Sequence, residues 1–323
     1  MPGTTGRGPD RCSTQTLCEF SHTGLTVTSF SGLYYDSRVS LDSFFVEPLS
    51  NIDLSVQKRD FACSPSQCRL ALNGLLRAIT DFAFKEDVFN EDCIDANAML
   101  VLASAFSFGS RWFSVGNAHR STGPFRGESA KAGAVEKNVP TVCLTGNFRV
   151  GEFADSDGFE ATVVEIPYQD PRRSLAVFLP APTSSLVALE EKLTAAKVLT
   201  CLRRLEQKLV KVILPRVTVH CVTDLKHHLK LLGAVSVFSK TSDLSNMARC
   251  KGLRVSAAKQ VAVFRVGHRG AKQPDAKEAV RNAVRAPSGS PVKKVTVDRP
   301  FLFLVIARNP DTVLLLGSIT RLH

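Results

Sequence analysis

The end of the chain constrains the fold most. Residues 300–307 and 312–319 carry two unbroken apolar runs, Phe301-Leu302-Phe303-Leu304-Val305-Ile306 and Thr312-Val313-Leu314-Leu315-Leu316. Because they are continuous rather than alternating, they predict strands covered on both faces. Asn309-Pro310-Asp311 between them predicts a turn: proline presets φ, and the Asn and Asp side chains bond the local backbone. A third strand is predicted over Leu253–Gly267, and the polar stretch His268–Asp298 separates it from the hairpin. A connection of about thirty residues inside a compact domain is a functional segment or a disordered one.

The rest of the sequence sets outer bounds. The chain has 323 residues, 44% of them hydrophobic, enough for a large core. It contains no run of eighteen apolar residues and no secretory leader pattern. Nine cysteines, an odd number without zinc-type spacing, set no disulfide framework and no metal site. The net charge of +11 admits anionic partners, but the basic residues are dispersed and lack an aromatic RNA-binding signature, so nucleic acid is not expected. G-x-S-x-G, H-E-x-x-H, P-loop and G-x-G-x-x-G motifs are all absent. His227 and His228 are adjacent, so a helix sends them to different sides; His220 and Cys221 would face opposite sides of a strand. Neither an enzyme nor a cofactor is expected.

Residues 1–24 are Gly, Ser and Thr rich without a period and read as disordered low complexity. Strands are predicted over Leu25–Tyr35, Asn51–Phe61 and Met99–Phe108. A short helix is predicted over Ser40–Leu49, with Leu41, Phe44, Phe45 and Leu49 on one side, and a longer one over Ser64–Phe82. Leu186–Leu205 is the clearest amphipathic pattern and predicts one helix burying Leu186, Leu189, Leu193, Val198, Leu202 and Leu205. Helices and strands mix without βαβ regularity, which points to an α+β fold.

Several stretches carry a family resemblance. Asp298-Arg299-Pro300-Phe301-Leu302-Phe303 followed by Leu316-Gly317-Ser318-Ile319 resembles the C-terminal signature of serpins. Leu33-Tyr34-Tyr35, Arg69-Leu70-Ala71-Leu72-Asn73, the strand Val101–Phe108 with Trp112, Val139-Pro140-Thr141, Ile166-Pro167-Tyr168, Ala176–Pro180 and Val212–Val217 are similar to serpin segments in the same order. The resemblance runs from Leu25 to His323. It implies three β-sheets with surrounding helices, a partial domain over residues 25–323, and a reactive-centre loop at about 268–298 offered as bait to a serine protease. Serpins have helices and a buried strand ahead of the position of Leu25, so the chain reads as an N-terminally truncated member. The family also implies an extracellular setting.

The resemblance further implies site residues. Counting about fifteen positions from Gly270 reaches Val284 or Arg285. Arg285, followed by Ala286, suits a trypsin-like pocket with a buried carboxylate, making a trypsin-like serine protease the expected partner. Trp112 and Gln260 stand at breach positions and Ser104 at a shutter position. The hinge departs from the family's alanine-rich pattern: Gly270 is kept, but Ala271-Lys272-Gln273-Pro274-Asp275-Ala276-Lys277-Glu278 follows. Side chains alternate along a strand, so one face would carry Gln273, Asp275 and Lys277 and the other Lys272, Pro274 and Glu278. Two readings follow: a serine endopeptidase inhibitor acting through a suicide bait, and a non-inhibitory serpin-fold protein. A polyanion such as a sulfated glycan is a further candidate partner through the basic loop.

Overall fold

The computed structural model describes residues 18–20, 25–110, 112, 119–127, 135–266, 292–308 and 311–322. In chain order the elements are β1 (Cys18–Phe20), β2 (Leu25–Asp36), α1 (Ser43–Val46), β3 (Leu54–Arg59), α2 (Pro65–Ile79), β4 (Leu100–Ser110), β5 (His119–Gly127), β6 (Val135–Ala154), β7 (Glu160–Pro167), β8 (Arg173–Pro180), α3 (Leu186–Lys192), α4 (Ala195–Arg203), β9 (Glu206–Pro215), β10 (Val217–Asp224), α5 (Leu225–Leu231), β11 (Val255–Val266), β12 (Lys293–Thr296), β13 (Phe301–Ala307) and β14 (Thr312–Ile319). The α+β expectation holds. Among the described residues the strands form two hydrogen-bonded sheets, a six-stranded one ordered β1-β2-β4-β11-β10 with β3 on β2, and an eight-stranded one ordered β12-β9-β6-β7-β8-β13-β14 with β5 on β6. The three-sheet division implied by resemblance is not drawn by hydrogen bonding here. The reason is β6: its 20 residues pair with β5 and β9 in one part and with β7 in another, joining both parts into one network.

The chain divides into two units. The first comprises Met1–Phe20, Val27–Ser107 and His220–Val263. Its core lies under α2, whose Leu72, Leu76 and Ile79 pack with Val101, Ala103 and Ala105 of β4 and Ala257, Val261 and Val263 of β11. Residues two apart on a strand share a face, so these two strands turn apolar residues toward α2, with Lys259 interrupting the β11 row. Asn73, buried in the same helix, donates to Phe89 O at 2.9 Å and accepts from Val88 N and Phe89 N at 3.1 and 2.9 Å, which ties the returning segment to α2.

The second unit comprises Ser21–Thr26, Phe108–Val219 and Phe264–His323. Here α3 and α4 cover Ala161, Val163, Ala176 and Phe178 together with Leu302, Leu304 and Ile306. Glu165 is buried in this unit. It accepts from Ser174 Oγ at 2.6 Å and Arg149 Nη1 at 2.7 Å, and also from Arg308 Nη2. The desolvation cost of the carboxylate is thus met by two guanidiniums and a hydroxyl.

Several local expectations are corrected. The Leu186–Leu205 pattern is two helices, not one: Leu193 and Thr194 are extended, with ψ of 115° and 161°, and Thr194 Oγ1 accepts from Lys197 N to cap the second. Strand β13 is buried along Phe301–Ile306, but β14, the last strand of the eight-stranded sheet, is not covered on both faces: Val313, Leu314 and Leu316 are exposed. The predicted helix over Ser40–Leu49 is one α-turn and then a 3₁₀ turn, Glu47–Ile52, opened by Pro48. Phe44 points outward at 85% exposure instead of joining its expected neighbours. Within the low-complexity start, Cys18–Phe20 pairs antiparallel with Val27–Ser29 as a short strand; the rest of residues 1–24 lies outside the described residues.

Candidate functional site

The loop predicted at about 268–298 follows β11, which ends at Val266, but its end is corrected: Lys293–Thr296 is strand β12, paired with β9. The hinge residues Gly270, Ala271, Lys272, Gln273, Pro274 and Asp275 and the bait residues Val284, Arg285 and Ala286 lie outside the described residues. The two anchors and the sheet beside them are described.

At the outgoing anchor, strand β11 is hydrogen-bonded directly beside β4, so no strand stands between them. Phe264, two residues before the end of β11, stacks on Phe303 at 4.4 Å and 13°. Phe108 at the end of β4 meets Phe264 at 6.0 Å and Tyr168 at 5.4 Å, and Tyr168 stacks on Trp112 at 4.9 Å and 13°. The result is a chain of rings, Trp112–Tyr168–Phe108–Phe264–Phe303, in which burial pushes the Tyr168 phenol far up, so it stays protonated. Trp112, expected at the breach, is therefore placed in this ladder. Its Nε1 and Gln169 Oε1 are buried without a hydrogen-bond partner among the described residues.

Ser104 and Gln260 have a different setting. Both are half-buried, on β4 and β11, and both have the parity opposite to Ala103, Ala105, Val261 and Val263. They thus share the sheet face turned away from α2. The structure brings these two to one face of neighbouring strands, and Trp112 stacks on Tyr168.

The returning anchor is built by Asp298-Arg299-Pro300. Arg299 donates through Nε and Nη2 to Pro180 O at 3.0 and 2.8 Å, and through Nη1 to Asp298 Oδ1 at 2.8 Å. Asp298 O accepts from Arg126 N at 2.7 Å. The motif is a clamp that fixes the strand entering β13 against β5 and β8, beside a surface cavity of about 480 Å³ lined in part by Arg126, Pro182, Ser185 and Arg299. Just upstream, β12 runs parallel to β9 and sets Lys294 directly beside Lys211, both exposed. Like charges as cross-strand neighbours repel. Lys293 instead reaches Glu152 at 2.8 Å.

Among the described residues no group of three or more His, Cys, Asp or Glu side chains is placed to hold a metal ion. No helix there is long and apolar enough to cross a membrane. Sequence reasoning missed the ring chain, because its members come from four separate segments and only the fold stacks them. It also missed the Glu165 cluster; a glutamate inside the apolar run Val163–Ile166 was the available signal.

Comparison with known proteins agrees with this arrangement. The sequence model of the family described as "Serpin (serine protease inhibitor)" matches residues 9–322. Among curated relatives, Serpin B4 of Homo sapiens is 30% identical over 268 residues, covering 81% of this chain and 66% of that protein. Neuroserpin of Gallus gallus is 30% identical over 288 residues, covering 85% of this chain and 64% of that protein. The chain thus spans just under two thirds of the length of these relatives. Uncleaved ovalbumin superposes with a TM-score of 0.79 at 22% identity, covering 94% of this chain and 79% of ovalbumin. Native protease nexin-1 with heparin superposes with a TM-score of 0.78 at 23% identity, covering 92% and 77%. At those identities the superpositions speak for the fold, and the family match speaks for descent: the chain belongs to the serpin (serine protease inhibitor) family.

Proposed function

We propose that this chain presents residues 267–292 as bait to trypsin-like serine endopeptidases, with Arg285 as the residue before the scissile bond. The observation that carries the reading is the pair of anchors. Strand β11 lies closed against β4, while β12, on the far side of the connection, belongs to the other sheet. In the family's mechanism, attack on such a connection forms an acyl-enzyme; the cut segment then enters the sheet and distorts the protease before deacylation. Extracellular action, where such proteases work, is part of the same proposal.

A second reading, cleavage without trapping, is favoured by the sheet itself. On the α2 side, a strand entering between β4 and β11 would continue a row made of Val101, Ala103, Ala105, Ala257, Val261 and Val263, all nearly inaccessible. Either phase of Lys272–Glu278 puts charge into that row or onto the opposite face. An unpaired buried charge costs several kcal/mol or is neutralised, and Pro274 cannot donate to the ladder. Polyanion binding is a partner proposal supported by the Lys211–Lys294 pair; the structural neighbour protease nexin-1 was solved with heparin.

The test is digestion by trypsin with N-terminal sequencing of the fragments and a denaturing gel. A C-terminal fragment starting at Ala286 supports the bait assignment; cutting only after Arg281, or nowhere in the connection, sinks it. A covalent band with the protease selects the inhibitory reading. Its absence, with cleavage at Arg285, selects the substrate reading.

A further inference from the structure

Helix α5 runs out of cover at its end. Leu225, Leu229 and Leu232 lie on one side of it, four and three residues apart. The first two are half-buried, but Leu232 is 84% exposed, and Leu231 and Val235 are 73% and 53% exposed. This end is not frayed. Ala234 N donates to Leu229 O at 2.9 Å and Gly233 N to Lys230 O at 3.1 Å, with Gly233 at a φ of 94°, so the helix has a complete glycine stop. Val235 N then donates to Gly233 O at 2.9 Å, and a 3₁₀ turn, Ser236–Phe238, follows and buries Phe238. The turn is fixed by its own hydrogen bonds, and it holds three large apolar side chains in water.

The charges around this tip have one sign. From Leu225 to Ser242 the chain has no acidic residue, and it carries Lys226, His227, His228, Lys230 and Lys240. Lys226 is engaged with Ser256 O at 2.9 Å. Lys230 lies over the Phe238 ring at 5.9 Å, which keeps its ammonium beside the tip. Lys230 and Lys240 are both exposed, and neither has a salt bridge among the described residues. The acids that flank the segment are engaged elsewhere. Asp224 accepts from His227 N at 3.2 Å and meets Lys259 at 3.1 Å, and Asp243 accepts from Ser245 N at 3.1 Å.

We propose that this tip docks on an anionic phospholipid surface. Leu231, Leu232 and Val235 enter the boundary between headgroups and acyl chains, and Lys230 and Lys240 meet the negative headgroups. Charge selects this occupant: apolar side chains beside unpaired cations, with no free acid near them in sequence, complement a surface that is apolar within and negative outside. The residue types agree. Protein interfaces are enriched in aromatic anchors and depleted in lysine, whereas this tip exposes leucine, valine and lysine and no Phe, Tyr or Trp. Side chains standing this far out would need a matching cleft in a protein partner, and they need none in a bilayer. Three apolar side chains and two lysines make a weak, reversible contact. The inference is independent of whether residues 267–292 act as bait.

The experiment is co-sedimentation of the full chain with vesicles of phosphatidylcholine containing about 30% phosphatidylserine, and with phosphatidylcholine alone, with circular dichroism as the folding control. The expected result is binding to the anionic vesicles that weakens with salt and is absent from the neutral ones. Leu231→Ser with Leu232→Ser should weaken that binding about tenfold or more, and Lys230→Gln about fivefold. Leu316→Ser, at an exposed leucine of β14, should leave it unchanged. Leu232→Trp keeps an apolar side chain at the tip and reports on it directly: its emission should shift to the blue on anionic vesicles and be quenched by brominated lipid. No binding, equal binding to both vesicles, or an indole at position 232 that the vesicles leave unshifted overturns the proposal. So does binding that survives the double serine variant, which would mark a purely ionic contact such as one with a sulfated glycan, or binding that is lost in Leu316→Ser.

Discussion

Asp36 offers the sharpest test of how the first unit is held together. Its side chain is fully buried at the end of β2. Oδ2 accepts from Phe61 N at 2.9 Å and Ala62 N at 3.2 Å, and Oδ1 accepts from Arg38 N at 3.0 Å and from Arg38 Nε. Arg38 in turn reaches Ala96 O at 3.0 Å, and Asp36 N donates to Met99 O at 2.9 Å. The carboxylate therefore joins β2 to the lead into α2, and the Asp36 N–H and Arg38 tie both to the lead into β4. Burial alone would raise its pKa, but the hydrogen bonds and charge of Arg38 and the Phe61 N–H outweigh that and hold it below the ordinary aspartate range.

Replacing Asp36 with Asn leaves one oxygen for two sets of donors. The amide oxygen can keep Phe61 and Ala62, but its NH₂ then faces Arg38 N–H and the guanidinium. A stranded buried donor costs about 1–3 kcal/mol, and the half-exposed Arg38 recovers part of its loss in water. The expected cost is about 2–4 kcal/mol at neutral pH, a fall of about 4–8 °C in melting temperature for a chain of this size. Because the folded pKa is depressed, the stabilisation is present above the unfolded value, about 3.9, and is lost as pH falls through the folded pKa. The gap between wild type and Asp36→Asn should therefore be full at pH 7 and shrink in acid below about pH 4. Urea titrations at a series of pH values measure it. A loss under about 0.5 kcal/mol at pH 7, or a gap that does not change with pH, refutes the account.

Three other expectations follow. Glu165→Ala should cost about 2–3 kcal/mol, discounted because Arg149 and Arg308 keep some access to water, while Ser174→Ala alone should cost about 1 kcal/mol; equal effects in urea titrations would mean the arginines do not depend on the carboxylate. Cutting the 267–292 connection should leave the melting temperature nearly unchanged, since strand entry would bury charge; a large upward shift would show that the segment inserts. The chain should bind a hydrophobic dye such as ANS, because Leu231, Leu232 and Val235 lie together in sequence and are exposed; a dye-negative protein, or dye binding unaffected by Leu231→Asp with Leu232→Asp, would disprove that source.

Much of the fold was legible in local pattern. The unbroken run Phe301–Ile306 announced a buried strand, and Leu70, Leu72, Leu75, Leu76 and Ile79 near helical spacing announced α2, of which Leu72, Leu76 and Ile79 are its buried face. Those signals survive because burial on one face or both is written into neighbouring residues. The order of serpin-like segments likewise identified the family, since each motif keeps its own short spacing.

What depended on position in the assembled sheets was not legible. Leu314 and Leu316 look as apolar as Leu302 and Leu304, but only the tertiary structure packs Leu302 and Leu304 into the cluster with Leu186, Leu189 and Leu202 and leaves Leu314 and Leu316 exposed. Thr194 lies inside a helical period, and its backbone φ and ψ, with its side chain capping α4, break that period. Trp112, Tyr168, Phe108, Phe264 and Phe303 come from four segments far apart in sequence, so their stacking exists only once the strands are in register. The outer face of α2 shows the same limit from the other side. Leu70 stands among the apolar positions at helical spacing, and the tertiary structure turns it outward.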